Sequence, residues 1–123
     1  MTGTTEYDLR DALEAFERKD YDSVLKLLMP YAAAGNSDAQ TMLAVLYQSA
    51  FGVERNILEA EGWLLKAADQ NNPVAWNNLG SLYSSKCPEL KHRWTDAMRC
   101  YKRAKELGFN CAEPYPPQRS RAD

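Results

Sequence analysis

Apolar residues recur every three or four positions along most of the chain, which is the period of an amphipathic α-helix. The clearest stripe comprises Ala39, Leu43, Leu46 and Tyr47. Similar stripes predict six helices, over residues 5–18, 21–34, 38–49, 57–70, 74–86 and 95–107. The pattern therefore predicts an all-α fold without a sheet.

Helix start and stop signals flank these stripes. Capping-box spacings begin at Ser37 and Asn56, and Thr95 is placed to cap the last helix. The second helix of each pair should end at Gly35, at Asn71-Asn72-Pro73 and at Gly108. Pro30 lies inside the second stripe, where it removes a hydrogen bond, so we expect a kink or break near Met29.

The chain repeats itself at an offset of 36 residues. The segment 39–47 aligns with 75–83 through the shared pattern A-x-x-x-L-[AG]-x-L-Y. The helices that follow align at an offset of 37, because one residue is inserted near 87–94. Counting back by 36 gives a degenerate first unit, so the chain should form about three helix pairs that stack to bury a shared core.

Small and large residues occupy separate columns of this alignment. Ala44 and Gly80 share a column in which the paired helices should approach closely. The columns that should fill the core hold Leu43 with Leu79, and Tyr47 with Tyr83. Gly52 lies in the connection between two helices, where we expect a positive φ.

These residues resemble the Sel-1-like repeat family, a relative of the tetratricopeptide repeat. The motif runs from Leu28 through Pro30, Gly35 and Ala39 to Tyr47, and it continues in Phe51-Gly52-Val53 and in Ala60-x-x-Trp63-x-x-x-Ala67-Ala68. The resemblance covers about residues 21–108, although the next unit lacks the Gly-Val loop. It implies a right-handed α-solenoid whose first helices line a concave groove.

The same resemblance implies a function in binding proteins. Members of the family are adaptors or assembly factors, and short bacterial members resemble immunity proteins that neutralise a cognate toxin. We therefore predict a protein-binding scaffold, with a cytosolic immunity or inhibitor protein as the alternative. The family motif contains no catalytic residue, and we predict that the chain is not an enzyme.

Composition narrows the partner class. With 15 basic and 17 acidic residues the net charge is −2, too weak a field to gather nucleic acid or anionic membrane. The N-terminus lacks the pattern of a signal peptide, and no segment has the length and apolarity of a membrane span, so we expect a cytoplasmic protein. A monomer is favoured, although the sequence leaves the oligomeric state open.

Domain organisation follows the repeat. Residues 1–108 should form a single repeat domain, and residues 109–123 a proline-rich tail. The tail contains Pro114-x-x-Pro117, which fits a ligand for an aromatic groove but also occurs by chance in short sequences.

Candidate chemistry is sparse. The three cysteines, Cys87, Cys100 and Cys111, form no paired motif, and His92 is the only histidine. Together with Cys87 it would supply half of a structural zinc site. We therefore predict no metal and no cofactor.

The candidate binding residues point away from the core columns of the two first helices and include one tryptophan at the start of the last helix. They are Thr41, Val45, Gln48, Asn77, Ser81, Ser84 and Trp94. The six residues other than Trp94 are small and neutral, and they suit an extended peptide backbone or a polar surface.

Overall fold

The computed structural model describes residues 9–85, 87–91 and 94–109, which contain six helices and no strand. The helices are α1 (Arg10–Glu17), α2 (Tyr21–Ala33), α3 (Ser37–Ser49), α4 (Ile57–Ala68), α5 (Pro73–Ser84) and α6 (Trp94–Glu106). The predicted all-α fold is confirmed. Residues 5–8 of the first predicted helix lie outside the described residues.

The helices stack in chain order as a solenoid of three pairs. Each helix packs against its neighbours in the sequence, and α3 also packs on α5. The backbones of α4 and α6 do not approach each other in the same way. The first helices of the second and third pairs, α3 and α5, are therefore closer than the second helices α4 and α6, which places α3 and α5 on the inner side of this part of the array.

The core consists of two connected clusters. One is built by α1, α2 and α3, and the other by α3, α4, α5 and α6. Leu43 and Leu46 of α3 belong to the first cluster, whereas Ala44 belongs to the second. Trp63 of α4 packs against both. Successive helix pairs therefore share buried side chains, as stacked repeats must.

Asparagines begin three of the helices. Asn36 precedes α3, and its Oδ1 accepts a hydrogen bond of 2.7 Å from the backbone N–H of Ala39. Asn56 caps α4 in the same way. The prediction that Ser37 caps α3 was wrong by one residue, since Ser37 already lies within the helix. Thr95 likewise lies inside α6, which begins at Trp94.

Asn72 caps α5 and also joins it to the preceding pair. Its Oδ1 accepts hydrogen bonds from the backbone N–H groups of Val74 at 2.9 Å and Ala75 at 3.2 Å. Its Nδ2 donates to Ser37 Oγ and to Asp38 Oδ1, both at 2.9 Å. The side chain is buried, so all of its hydrogen-bonding capacity is used within the protein.

Of the kink or break predicted near Met29, the break does not occur, because α2 continues through Pro30 to Ala33. Pro30 removes the donor that would bind the carbonyl of Lys26, four residues earlier. Both residues are exposed, so that carbonyl lies on the solvent side of the helix, where water can bind it. Gly35, Asn71 and Gly108 have positive φ and end α2, α4 and α6 as predicted.

The loop between α3 and α4 is tied to α2 by a close contact at Gly52. Gly52 has a φ of +78°, and a Cβ at this position would lie 2.5 Å from the Cβ of Tyr21. The neighbouring Phe51 ring stacks on the ring of Tyr21, with centroids 4.7 Å apart. Glycine is therefore required here both by the backbone conformation and by the space available.

Gly80 lies where α5 meets α6, as the small-residue column predicted. A Cβ at this position would lie 2.6 Å from Cε1 of Tyr101, whose ring is buried. In the preceding pair, Ala44 and Leu64 occupy the equivalent positions in the core. The third pair thus has the larger Tyr101 side chain where the second pair has Leu64. On the facing helix, Gly80 lacks the methyl group of Ala44.

We expect Gly80→Ala to lower the free energy of unfolding by about 1–3 kcal/mol, because the added methyl overpacks the contact with Tyr101. At an exposed helical site, the same change would instead stabilise by up to about 1 kcal/mol. Chemical denaturation measures the sign. The double variant Gly80→Ala with Tyr101→Leu recreates the preceding pair and should be less destabilised than the sum of the single variants by ~1 kcal/mol or more. Additive effects would contradict this account.

Asn72→Ala should destabilise more than Asn36→Ala, and thermal unfolding of the two variants provides the comparison. Loss of an N-cap costs about 1 kcal/mol in either case. Only Asn72 also donates hydrogen bonds to the preceding helix pair, so Ser37 and Asp38 lose a partner in that variant alone. Equal melting temperatures for the two variants would show that the hydrogen bonds from Asn72 to the preceding pair contribute nothing measurable to stability.

Candidate protein-binding face

Six of the seven candidate binding residues lie on α3 and α5, the adjoining helices of the inner side. The 36-residue repeat places them in three columns, Thr41 with Asn77, Val45 with Ser81, and Gln48 with Ser84. Because α3 packs on α5, equivalent positions on the two helices lie next to each other. We call the surface formed by Val45, Gln48, Asn77, Ser81 and Ser84 the inner face.

Thr41 is buried rather than available at this face. Its side chain is only 6% exposed, and its hydroxyl donates a 2.8 Å hydrogen bond to the carbonyl of Ser37 within α3. This placement differs from the sequence expectation that Thr41 points away from the core. The column partner Asn77 is partly exposed. In the column of Thr41 and Asn77, therefore, only Asn77 offers a side chain that a partner could contact.

The other members of the inner face keep part of their surface in contact with solvent. Val45, Gln48 and Ser84 are partly exposed, and Ser81 is exposed. The Ser84 hydroxyl donates to the Ser81 carbonyl at 3.0 Å, and the Tyr101 hydroxyl donates to Ser81 Oγ at 3.4 Å. None of these side chains is charged, so the face can exchange hydrogen bonds without an ionic preference.

Sequence analysis missed one apolar residue of the inner face. Val74 lies three residues before Asn77, so both side chains lie on one side of α5, and Val74 is 39% exposed. Its counterpart at the start of α3 is Asp38, which accepts a hydrogen bond from Asn72. The spacing of three residues from Asn77 was the signal that could have identified Val74.

Trp94 lies on a different helix from the other candidate residues. It is at the start of α6 and is partly buried against the core cluster of α3 to α6. The fold therefore places Val45, Gln48 and the α5 candidates on two adjoining helices, with Trp94 on a third.

The buried polar groups of the third pair hold their protons. The Tyr83 hydroxyl donates a 2.7 Å hydrogen bond to Glu61 Oε2, and burial, followed by this bond, raises the pKa of Tyr83 far above its usual value. Burial, followed by the nearby Asp96 carboxylate, raises the pKa of Cys100 to about 11. The Cys100 thiol is therefore protonated at neutral pH and is a poor nucleophile.

The described residues offer no arrangement for metal binding. No group of three or more His, Cys, Asp or Glu side chains within this part of the chain is placed to hold an ion. Cys87 lies 3.8 Å from Nη2 of Arg55, whereas His92 and Cys111 lie outside the described residues. Across the same described segments, every helix falls short of the length and apolarity that spanning a membrane requires.

Comparison with known proteins identifies the repeats. Residues 37–72 and 95–109 match the Sel1 repeat. The crystal structure of a Sel1 repeat protein from Oxalobacter formigenes superposes with a TM-score of 0.72 at 31% sequence identity, covering 80% of this chain. The chain spans 40% of the length of that protein. A search of curated proteins finds no match. The repeats of this chain therefore belong to the Sel-1-like repeat family, whose helical units generally act as scaffolds for protein–protein interaction.

Proposed function

We propose that the chain is an adaptor or assembly factor that holds a partner protein along its inner face. The observation that carries this proposal is the repetition of small, neutral, solvent-accessible side chains at equivalent positions on two adjoining helices. Two columns of the repeat have this character, and they pair Val45 with Ser81 and Gln48 with Ser84. A partner lying across both helices would meet uncharged, solvent-accessible side chains at equivalent positions of the two helices, at the spacing of the repeat.

The chemistry of the face favours an extended or polar partner segment. Ser81, Ser84, Gln48 and Asn77 supply hydroxyl and amide groups that can both donate and accept hydrogen bonds. Val74 adds an exposed apolar contact at one end of the α5 row. A peptide backbone needs both kinds of hydrogen-bonding partner, whereas a hydrophobic helix would leave these polar groups buried without partners.

The other predictions about function rest on the sequence alone. No observation among the described residues favours the toxin-neutralising alternative over an adaptor. A cytoplasmic location and a monomeric state also stay predictions, as does the division into a repeat domain over residues 1–108 and a tail over 109–123.

The double variant Asn77→Arg with Ser81→Glu tests the proposal. Both side chains are partly or fully exposed, so the melting temperature should change little, in line with surface changes of about ±0.5 kcal/mol. Binding should be lost, because two large charges would project into a neutral interface, where anchor residues contribute 2 kcal/mol or more. Affinity capture from the native host, followed by titration of the captured partner, measures both the identity of the partner and the loss.

A matched control is Leu58→Arg with Gly62→Glu, which places the same two charges four residues apart on exposed positions of α4. Leu58 is 58% exposed, and a Cβ at Gly62 would meet no atom within 4 Å. This variant should keep the partner. If the control loses the partner while the inner-face variant retains it, the binding surface is on the outer side and the proposal is wrong.

A further inference from the structure

Cys100 occupies the position in α6 that Trp63 occupies in α4, 37 residues earlier. The Trp63 side chain packs against both core clusters, and the Lys66 ammonium lies 4.8 Å from the centre of its ring. A cysteine cannot fill the volume of an indole. The second helix pair therefore has an indole on its second helix at this position, where the third pair has a thiol. The third pair has its own indole, Trp76, on α5, at the position that Gln40 occupies in α3.

A cavity of about 410 Å³ lies at this place in the third pair. Trp76 and Tyr83 of α5 and Cys100 of α6 supply its apolar lining. The rest of the lining consists of charged side chains of α6, which are the cations Arg99, Lys102 and Arg103 and the carboxylates Asp96 and Glu106. The lining thus combines aromatic surface with charges of both signs. This combination suits a planar apolar group that enters from a polar surface.

Arg103 stands three residues after Cys100, as Lys66 stands three residues after Trp63. Its Nη2 donates to Asn71 Oδ1 at 3.1 Å and its Nη1 to Glu106 Oε1 at 3.4 Å, so the guanidinium is held beside the cavity. The face of an aromatic ring carries negative potential and is complementary to such a cation. A cation therefore lies beside this cavity as Lys66 lies beside Trp63, and here it is also paired with the Glu106 carboxylate.

The indole Nε1–H of Trp76, a residue of the lining, is shielded from solvent and has no acceptor among the described residues. This N–H therefore does not open into the cavity, and Trp76 presents the carbon surface of its ring to an occupant. The ring of a tryptophan or tyrosine residue of a polypeptide packs well on such a surface, because aromatic pairs prefer offset-stacked or edge-to-face contact.

We propose that this cavity is an aromatic socket, formed by Trp76, Tyr83, Cys100 and Arg103, that takes an aromatic side chain from a protein partner in the place that Trp63 fills one repeat earlier. None of Asn77, Ser81 and Ser84 lines it, so the socket is a contact site separate from the inner face. A partner could use it whether or not the inner face binds.

The first experiment titrates N-acetyl-tryptophanamide into the full ¹⁵N-labelled chain and follows the NMR signals. The indole N–H signal of Trp76 and the amides of Cys100 and Arg103 should shift saturably, with a Kd on the order of millimolar for so small a probe. N-acetyl-leucinamide at equal concentration should leave these signals in place. Equal shifts with both probes, or no shift with either, would overturn the socket.

The variant Cys100→Trp supplies the missing ring from within the chain. Probe binding should weaken at least about tenfold in the folded variant, because the indole occupies the cavity beside Cys100. Thermal unfolding checks that the variant is folded. The matched variant Cys100→Ala leaves the socket open and should bind as the parent does. Binding that survives in folded Cys100→Trp would place the probe elsewhere and would overturn the proposal.

Two further variants keep the test decisive. If Cys100→Trp does not fold, Arg103→Gln alters only a partly exposed side chain and should weaken binding by about two- to tenfold through the lost cation. Unchanged binding in that variant would contradict the proposed ring position. In the full chain, Tyr115→Ala should leave probe affinity unchanged. If it strengthens the affinity about tenfold, the chain's own tail is the occupant and the assignment to a partner is wrong.

Discussion

The packing of α5 onto α3 and α4 is the contact on which the array depends. Ala75, Leu79 and Leu82 of α5 are completely buried, in the same cluster as Ala60 and Leu64 of α4. A single pair of antiparallel helices has no second surface against which to bury these side chains, so each pair is stable only with its neighbour. The inner face exists as a continuous surface because this contact fixes α3 beside α5.

Much of the fold could be predicted because burial follows the helical period. Leu43, Leu79 and Gly80 were assigned to core and contact columns from spacing alone, and all three are buried. Helix ends were less certain at the level of single residues. Asn36 and Ser37 both carry an oxygen that can cap a helix, and only the backbone conformation decides which of them does. The alternative of a break near Met29 was wrong for a related reason, since the sequence does not show that this side of α2 faces water.

Less of the candidate site could be predicted, because the repeat gives the direction of a side chain but not what covers it. Thr41 and Asn77 share a column, yet Thr41 is buried and Asn77 is partly exposed. α5 packs on α3, whereas no described helix follows α6 to pack on α5 in turn. Exposure therefore depends on the position of a unit within the array, which an alignment of units treats as equivalent.

Differences between the units are consequently more informative about function than their shared columns. In the third pair, Gly80 lacks the methyl group that Ala44 has in the second pair. The Tyr101 ring occupies that space in the contact between α5 and α6. At the adjacent position of α6, Cys100 stands where α4 has Trp63, and a cavity lies beside it. The backbone of the repeat tolerates both exchanges because each alters only the side chains between helices that remain packed. An array can thus keep one fold while each unit presents a different surface.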